Sequence, residues 1–202
     1  MSGQLFIVSA PSGGGKTSLV EALLAEDPIL KASISHTTRA PRSGETEGQD
    51  YFFVTPAEFD ALVQANAFLE HAKVFDHHYG TSWKGVQSIL EAGKDAILEI
   101  DWQGARLIRA KLDCVSLFIL PPTKEILLNR LTQRAQDSVN VIEKRMQLAA
   151  EEMKHYPEYD FVIINDDFEK ALSDLKAIIQ ASRLKTAQQR ERYKALIDTL
   201  LV

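Results

Sequence analysis

The segment Ala10-Pro11-Ser12-Gly13-Gly14-Gly15-Lys16-Thr17 constrains this fold more than any other part of the chain. An apolar run, Leu5-Phe6-Ile7-Val8, leads into it, and a helical pattern, Leu19-Val20-Ala22-Leu23-Leu24, follows. A strand, a glycine-rich loop and a helix start in that order make a phosphate cradle. Glycines let backbone N–H groups approach an anion, and the helix N-terminus adds its partial positive charge. In such a cradle Lys16 reaches the terminal phosphates and Thr17 offers its hydroxyl to Mg²⁺. The match to G-x-x-x-x-G-K-[ST] is incomplete, since Ala10 stands where the first glycine is expected. That position closes the strand, so a small residue substitutes. A chance glycine-rich turn is the alternative, and the flanking strand and helix argue against it.

Three further runs read as buried parallel strands: Ala96-Ile97-Leu98-Glu99-Ile100, Val115 to Leu120, and Phe161-Val162-Ile163-Ile164. A weaker one lies at Ile34-Ser35. Helical patterns separate them: Gln103 to Leu112, Thr123 to Arg134 with Thr123 as N-cap, Ser138 to Met153, and one long helix from Phe168 to Arg192. Strands alternating with helices imply a parallel sheet with right-handed crossovers. The segment 34–84 breaks this rhythm with turn residues, short alternating strands and an amphipathic stretch from Pro56 to Gln64, which suggests a small mixed α/β insertion. A short polar interruption, Gln133 to Ser138, suits a mobile lid.

The 202 residues suffice for one α/β domain with an inserted subdomain. A net charge of −5 argues against a global nucleic-acid-binding surface but leaves room for local basic pockets. The single cysteine, Cys114, cannot form an internal disulfide and reads as a small buried hydrophobe in a reducing compartment. No apolar stretch reaches the length of a membrane span, and Met1-Ser2-Gly3-Gln4 carries no leader pattern. A cytoplasmic protein is the expectation.

Several runs occur in a family's order. They are the phosphate loop, Ser35-His36-Thr37-Thr38-Arg39-Ala40-Pro41-Arg42, Gly48-Gln49-Asp50-Tyr51-Phe52-Phe53, and Phe68-Leu69-Glu70. Tyr79-Gly80-Thr81, Glu99-Ile100-Asp101-Trp102-Gln103-Gly104 and Asn165-Asp166-Asp167 follow. Over nearly its whole length the chain resembles guanylate kinase. The resemblance implies an α/β, P-loop nucleoside monophosphate kinase fold, with a parallel core sheet, an inserted GMP-binding subdomain and a short lid. It assigns 1–202 to one domain, with core 1–33, 85–130 and 155–202, insertion 34–84 and lid region 131–154. The implied activity transfers the γ-phosphoryl of ATP to GMP, and to dGMP, with Mg²⁺.

The same resemblance distributes the residues. Ala10, Pro11, Ser12, Gly13, Gly14, Gly15, Lys16 and Thr17 would bind ATP, with Asn165 near its adenine. Arg39, Arg42, Tyr51 and Tyr79 would hold the acceptor phosphate. Their chemistry suits it, since guanidinium forks bind phosphate oxygens and phenols add neutral hydrogen bonds. Glu70 would accept both N1–H and N2–H₂ of guanine, with Ser35 and Thr81 as hydroxyl partners. Thr17 and Asp101 would organise Mg²⁺, and Asp101 also joins the acceptor set with Glu99. Lys16, Arg130, Arg134 and Arg145 would neutralise developing charge; no general base is needed because the attacking phosphate oxygen is already anionic.

The chain departs from the family at the lid, where R-G-R-G is replaced by Thr132-Gln133-Arg134-Ala135, and Asn140 stands for a glutamate. A non-catalytic module that binds phosphorylated peptides, and a related kinase with another acceptor, are the competing readings. Lys16, Thr17 and Arg134 favour an enzyme; Glu70, Ser35 and Thr81 favour guanine. His71, Asp76, His77 and His78 fit no strong metal pattern, and His36 lies inside the acceptor motif. Trp83 and Trp102 read as packing residues. Arg183, Lys185, Arg190, Arg192 and Lys194 read as a solvated basic face, with a homo-oligomer contact as the weaker reading.

Overall fold

The computed structural model describes residues 3–74, 76–134 and 139–201. In chain order its elements are β1 (Leu5–Ser9), α1 (Lys16–Glu26), β2 (Leu30–Ala32), β3 (Ser35–Thr37), β4 (Tyr51–Phe53), α2 (Pro56–Gln64), β5 (Phe68–Val74) and β6 (His77–Ser82). They continue with α3 (Trp83–Glu91), β7 (Asp95–Glu99), α4 (Trp102–Arg109), β8 (Val115–Leu120), α5 (Lys124–Arg134), α6 (Val139–Met153), β9 (Phe161–Ile164), α7 (Phe168–Arg183), α8 (Thr186–Arg192) and α9 (Lys194–Leu200). Five strands form the core sheet in the order β2-β7-β1-β8-β9, and four form a second sheet in the order β4-β3-β6-β5. The chain divides into two compact units, one of Val8–Pro28 and Val115–Val202, the other of Ser2–Ile7 and Ile29–Cys114. Strand β1 contributes to both.

In the first unit, β8 and β9 pair in parallel from Leu117↔Phe161 to Leu120↔Ile164. Val115, Leu117, Phe118 and Ile119 are buried, as a continuous apolar strand requires. Helix α1 buries Leu19, Val20 and Leu23, while α7 buries Ala171, Leu172, Leu175 and Ile179. The two helices pack together. Lys176 pairs with Glu26 at 2.6 Å, and Arg183 with Asp27 at 2.7 Å. Leu127 and Leu131 of α5 meet Ala149 of α6 in a small core that Met146 and Met153 complete. The Thr123 hydroxyl accepts the N–H of Ile126, capping α5.

The single long helix expected from Phe168 to Arg192 is interrupted. Helix α7 ends at Arg183, and α8 starts at Thr186. Burial ceases there: Ser182 is buried, whereas Leu184 is exposed and α8 and α9 bury no residue. Gln189 Nε2 donates to the Arg183 carbonyl, satisfying an acceptor that a continuous helix would have used. Arg183 therefore leaves the solvated basic face expected of it and forms a largely buried pair with Asp27.

In the second unit, β2 and β7 pair in parallel. The weak strand expected at Ile34-Ser35 falls at the start of β3, which begins at Ser35, while β2 at Leu30–Ala32, in the other sheet, is not expected from the sequence. The four-stranded sheet is mixed: β3 runs parallel to β4 and antiparallel to β6, and β5 runs antiparallel to β6. Helix α2 has Pro56 in its first turn and a capping box, in which Thr55 and Glu58 satisfy each other's backbone N–H groups. Ser82 caps α3, and Asp101 caps α4 by accepting from Gly104 N. Helix α4 packs on β5. Cys114 is half-buried and precedes β8, so it is not the buried strand residue expected. Trp83 is likewise exposed at 38%, whereas Trp102 carries the Arg106 guanidinium 4.9 Å above its ring.

Candidate active site

In the first unit the phosphate loop is built from backbone that only glycine adopts without strain. Gly13 and Gly15 have φ of 84° and 92°, and Gly14 N donates to the Pro11 carbonyl at 2.8 Å. Gly15 is the N-cap of α1 and supplies no capping side chain. The first N–H groups of α1 are thereby left without a capping side chain, at the end of the helix where an anion is favoured. Lys16 and Thr17 open the helix; Lys16 is half-buried and Thr17 exposed. Ser12 N donates to Glu152 Oε2 at 3.1 Å.

Asn165 follows β9 and is only 4% exposed. Its Nδ2 donates to the Gly14 carbonyl at 2.9 Å, and its own carbonyl accepts Arg130 Nη2 at 3.1 Å. Arg130 Nη1 is buried and makes no hydrogen bond. A side chain on Gly15 would place its Cβ 2.2 Å from Asn165 Nδ2 and 3.8 Å from Arg130 Nη1. The loop, Asn165 and Arg130 are thus one contiguous cluster. Arg145 is half-buried on α6. The Arg134 side chain, Asn140 and the interruption at 135–138 lie outside the described residues and side chains.

The second unit carries two polar clusters. In the first, Arg39 Nη2 pairs with Glu45 Oε1 at 2.7 Å, with both side chains largely buried. Its guanidinium lies 5.4 Å from the Tyr51 ring and also hydrogen-bonds Tyr79, whose ring is 6.0 Å from that of Tyr51. The Arg39 hydrogen bond holds the Glu45 carboxyl below the usual carboxylate range. Burial, then Tyr79 and Glu99, push the Tyr51 phenol up. Arg42 joins through its backbone: its N–H donates to Glu45 Oε2 at 2.7 Å and its carbonyl accepts Glu45 N at 3.1 Å, while its side chain is exposed. Ser35 is half-buried and registers opposite Tyr51.

In the other cluster, Thr81 Oγ1 donates to Glu70 Oε1 at 2.6 Å, and both residues are buried. A register shift between Phe68 and Glu70 sets Glu70 opposite Thr81. Helix α4 brings Gly104 so close that a Cβ there would stand 2.6 Å from Glu70 Oε2. Burial pushes the Glu70 carboxyl up to about 7, aided by the charge of Asp101 and opposed by the Thr81 hydrogen bond and Lys111. Lys111 Nζ donates to the Leu69 carbonyl at 2.6 Å. Asp101 Oδ1 accepts Gly104 N at 2.9 Å.

His36 lies tilted against Phe52 at 4.8 Å and meets Phe68 edge-on at 5.4 Å, and its burial lowers its pKa. Glu45, Gly104 and Lys111 were not singled out by sequence. Glu45 had one usable signal, its place three residues after Arg42 in a turn where Gly44 has φ of 91°. Gly104 and Lys111 had none, because their roles depend on how α4 meets β5.

A phosphate loop closing a buried strand of a parallel sheet, with a four-stranded mixed sheet inserted between β2 and α3, defines a P-loop nucleoside monophosphate kinase fold. The family model described as guanylate kinase matches residues 2–182. The chain is 55% identical over 204 residues to a guanylate kinase of Yersinia pseudotuberculosis, covering 100% of this chain and 99% of that one. It is 54% identical over 200 residues to a guanylate kinase of Methylococcus capsulatus, covering 98% of each. The crystal structure of guanylate kinase from Anaplasma phagocytophilum matches with a TM-score of 0.78 and 34% identity, over 96% of this chain and 95% of that one. The chain belongs to the guanylate kinase family and is a kinase, that is, a phosphotransferase.

Proposed function

We propose that this chain transfers the γ-phosphoryl group of ATP to GMP, and to dGMP, yielding ADP and the nucleoside diphosphate. The observation that carries the guanine reading is the buried Glu70 carboxylate, held at one oxygen by Thr81. Guanine presents N1–H and N2–H₂ as adjacent donors to such a group, and adenine has no equivalent pair. A pocket of this kind rejects the wrong base because its own buried groups are left unpaired.

On the donor side, the loop N–H groups and Lys16 take the β- and γ-phosphates. Arg130, Arg134 and Arg145 balance the charge on the transferring group. On the acceptor side, Arg39, Arg42, Tyr51 and Tyr79 receive the GMP phosphate. One of its anionic oxygens attacks the γ-phosphorus as the bond to the β,γ-bridging oxygen breaks and ADP leaves. Glu99 stands at the edge of this acceptor set, and Asn165 is the residue that the family resemblance puts near adenine.

Among the described residues no group of three or more His, Cys, Asp and Glu side chains could hold a metal. This suits Mg²⁺, which in phosphoryl transfer draws most ligands from phosphates and water and needs one or two protein oxygens. The family resemblance would give the ion the Thr17 hydroxyl, exposed, and the Asp101 carboxylate, half-buried. Bound there, the ion would lessen the repulsion between donor and acceptor phosphates. Among the described residues no helix is long and apolar enough to cross a membrane. The single cysteine supports a reducing, cytoplasmic setting.

The test is ADP release with ATP, Mg²⁺ and GMP, with AMP as control acceptor. The expected result is strong turnover with GMP and little with AMP. Equal turnover with AMP sinks the guanine assignment, and binding of GMP without turnover points to the binding-module reading.

A further inference from the structure

We infer that Asn165 is a positioning residue for the phosphate loop, acting by bracing its backbone rather than by selecting the donor base. The inference rests on the reading of residues 10–17 as the donor phosphate site. A carbonyl only accepts hydrogen bonds, so the Asn165 amide nitrogen must face Gly14 O, which it meets at 2.9 Å. With 4% of the residue exposed, the side chain has little surface left for a base. The Asn165 backbone is itself fixed, since its N–H donates to the Leu120 carbonyl at 2.8 Å and continues the β8–β9 ladder. Its carbonyl takes Arg130 Nη2 at 3.1 Å, leaving the buried Nη1 without a partner close to Gly15.

One residue thus ties three elements together. The rigid sheet fixes Asn165, Asn165 fixes Gly14, and it also fixes the guanidinium that faces the loop. A loop that must present several N–H groups to one anion gains affinity when it is held in that shape beforehand. Bracing is independent of the donor's base, whereas adenine recognition depends on it entirely, so the two roles separate experimentally.

The experiment compares wild type with Asn165→Ala. Binding of inorganic tripolyphosphate, which has no base, is measured by calorimetry. Turnover with GMP is measured using ATP, CTP and UTP as donors. The brace requires tripolyphosphate binding and kcat/KM for every donor to fall together, by about tenfold, as expected for one lost buried hydrogen bond with its unpaired partner. The preference for ATP over CTP and the KM for GMP should stay within about twofold. Unchanged tripolyphosphate binding with a lost preference for ATP overturns the brace.

If Asn165→Ala does not fold, ¹⁵N-labelled wild type decides. The carboxamide protons of Asn165 should exchange slowly without nucleotide, and shift with tripolyphosphate but not with adenosine. The opposite response overturns the inference. Failure of wild type to bind tripolyphosphate removes the donor-site reading, and the brace with it. Normal wild-type turnover with an indifferent variant removes the brace alone.

Discussion

Glu70 makes the stability of the nucleotide-free chain depend on pH in a direction opposite to that of most carboxylates. The perturbation is Glu70→Gln, which keeps shape and hydrogen-bonding capacity but abolishes titration. In the folded chain the carboxyl holds its proton up to about 7, chiefly because burial disfavours the ion. In the unfolded chain it loses that proton near 4.5. Between these values the folded state binds more protons than the unfolded one, so the free energy of unfolding falls as pH rises. The contribution of Glu70 is therefore complete below pH 4.5 and lost once pH passes 7. At about 1.4 kcal/mol per pK unit, this interval corresponds to a loss of about 3 kcal/mol.

The assay is urea unfolding of wild type and Glu70→Gln without nucleotide at pH 5, 6, 7 and 8. Asp101 and Lys111 are present in both proteins, so the difference between them isolates Glu70. Wild type should lose about 2–3 kcal/mol relative to the variant from pH 5 to 8, most of it by pH 7. A difference that stays flat with pH would mean that the carboxylate is solvated or better paired than its burial indicates. That result refutes the reasoning.

Lys16→Ala should lower kcat by at least about a hundredfold with the melting temperature unchanged, since charge stabilisation at the transferring group is lost without any core contact; unchanged turnover refutes the donor-site assignment. Gly104→Ala puts a methyl 2.6 Å from Glu70 Oε2 and 3.4 Å from Asp101 Oδ1. Initial-rate kinetics should show KM for GMP up by about tenfold and KM for ATP unchanged; an equal rise in both refutes the clash argument. Arg183→Ala removes the largely buried 2.7 Å ion pair with Asp27, so urea unfolding should show about 1–3 kcal/mol less stability, with kcat within twofold; a loss of kcat at full stability would show that α7 acts on catalysis.

The α/β class and the phosphate loop were legible because each rests on local chemistry. Continuous apolar runs need burial on both faces, and glycines at 13 and 15 mark backbone that other residues resist. Helix α3 is not expected from the sequence because Gly85 in its first turn weakens the helical pattern, although Ser82, accepting from Gly85 N, is an ordinary local N-cap. The break between α7 and α8 was invisible because the helical pattern outlasts the surface it can pack on. At the site, Glu70 alone would read as a surface glutamate. Only a register shift in β5 and the approach of α4 bury it, and neither is written in residues near 70. Asn165 was singled out through adenine, yet its geometry points to the loop. That difference arises from contacts between residues some 150 positions apart.

On the proposed reading of Arg39 as an acceptor-phosphate ligand, its pairing with Glu45 gives that site its own counter-ion. A phosphate arriving there exchanges places with a carboxylate rather than meeting a bare guanidinium, so one ion pair is given up for each one formed. The affinity recorded for the nucleotide is then a contest between two anions. Weak monoanions such as chloride lose that contest, and a phosphate dianion with room for two contacts wins it. Such an exchange also responds less steeply to ionic strength than binding to an unpaired cation does, because the charge held in the pocket changes less.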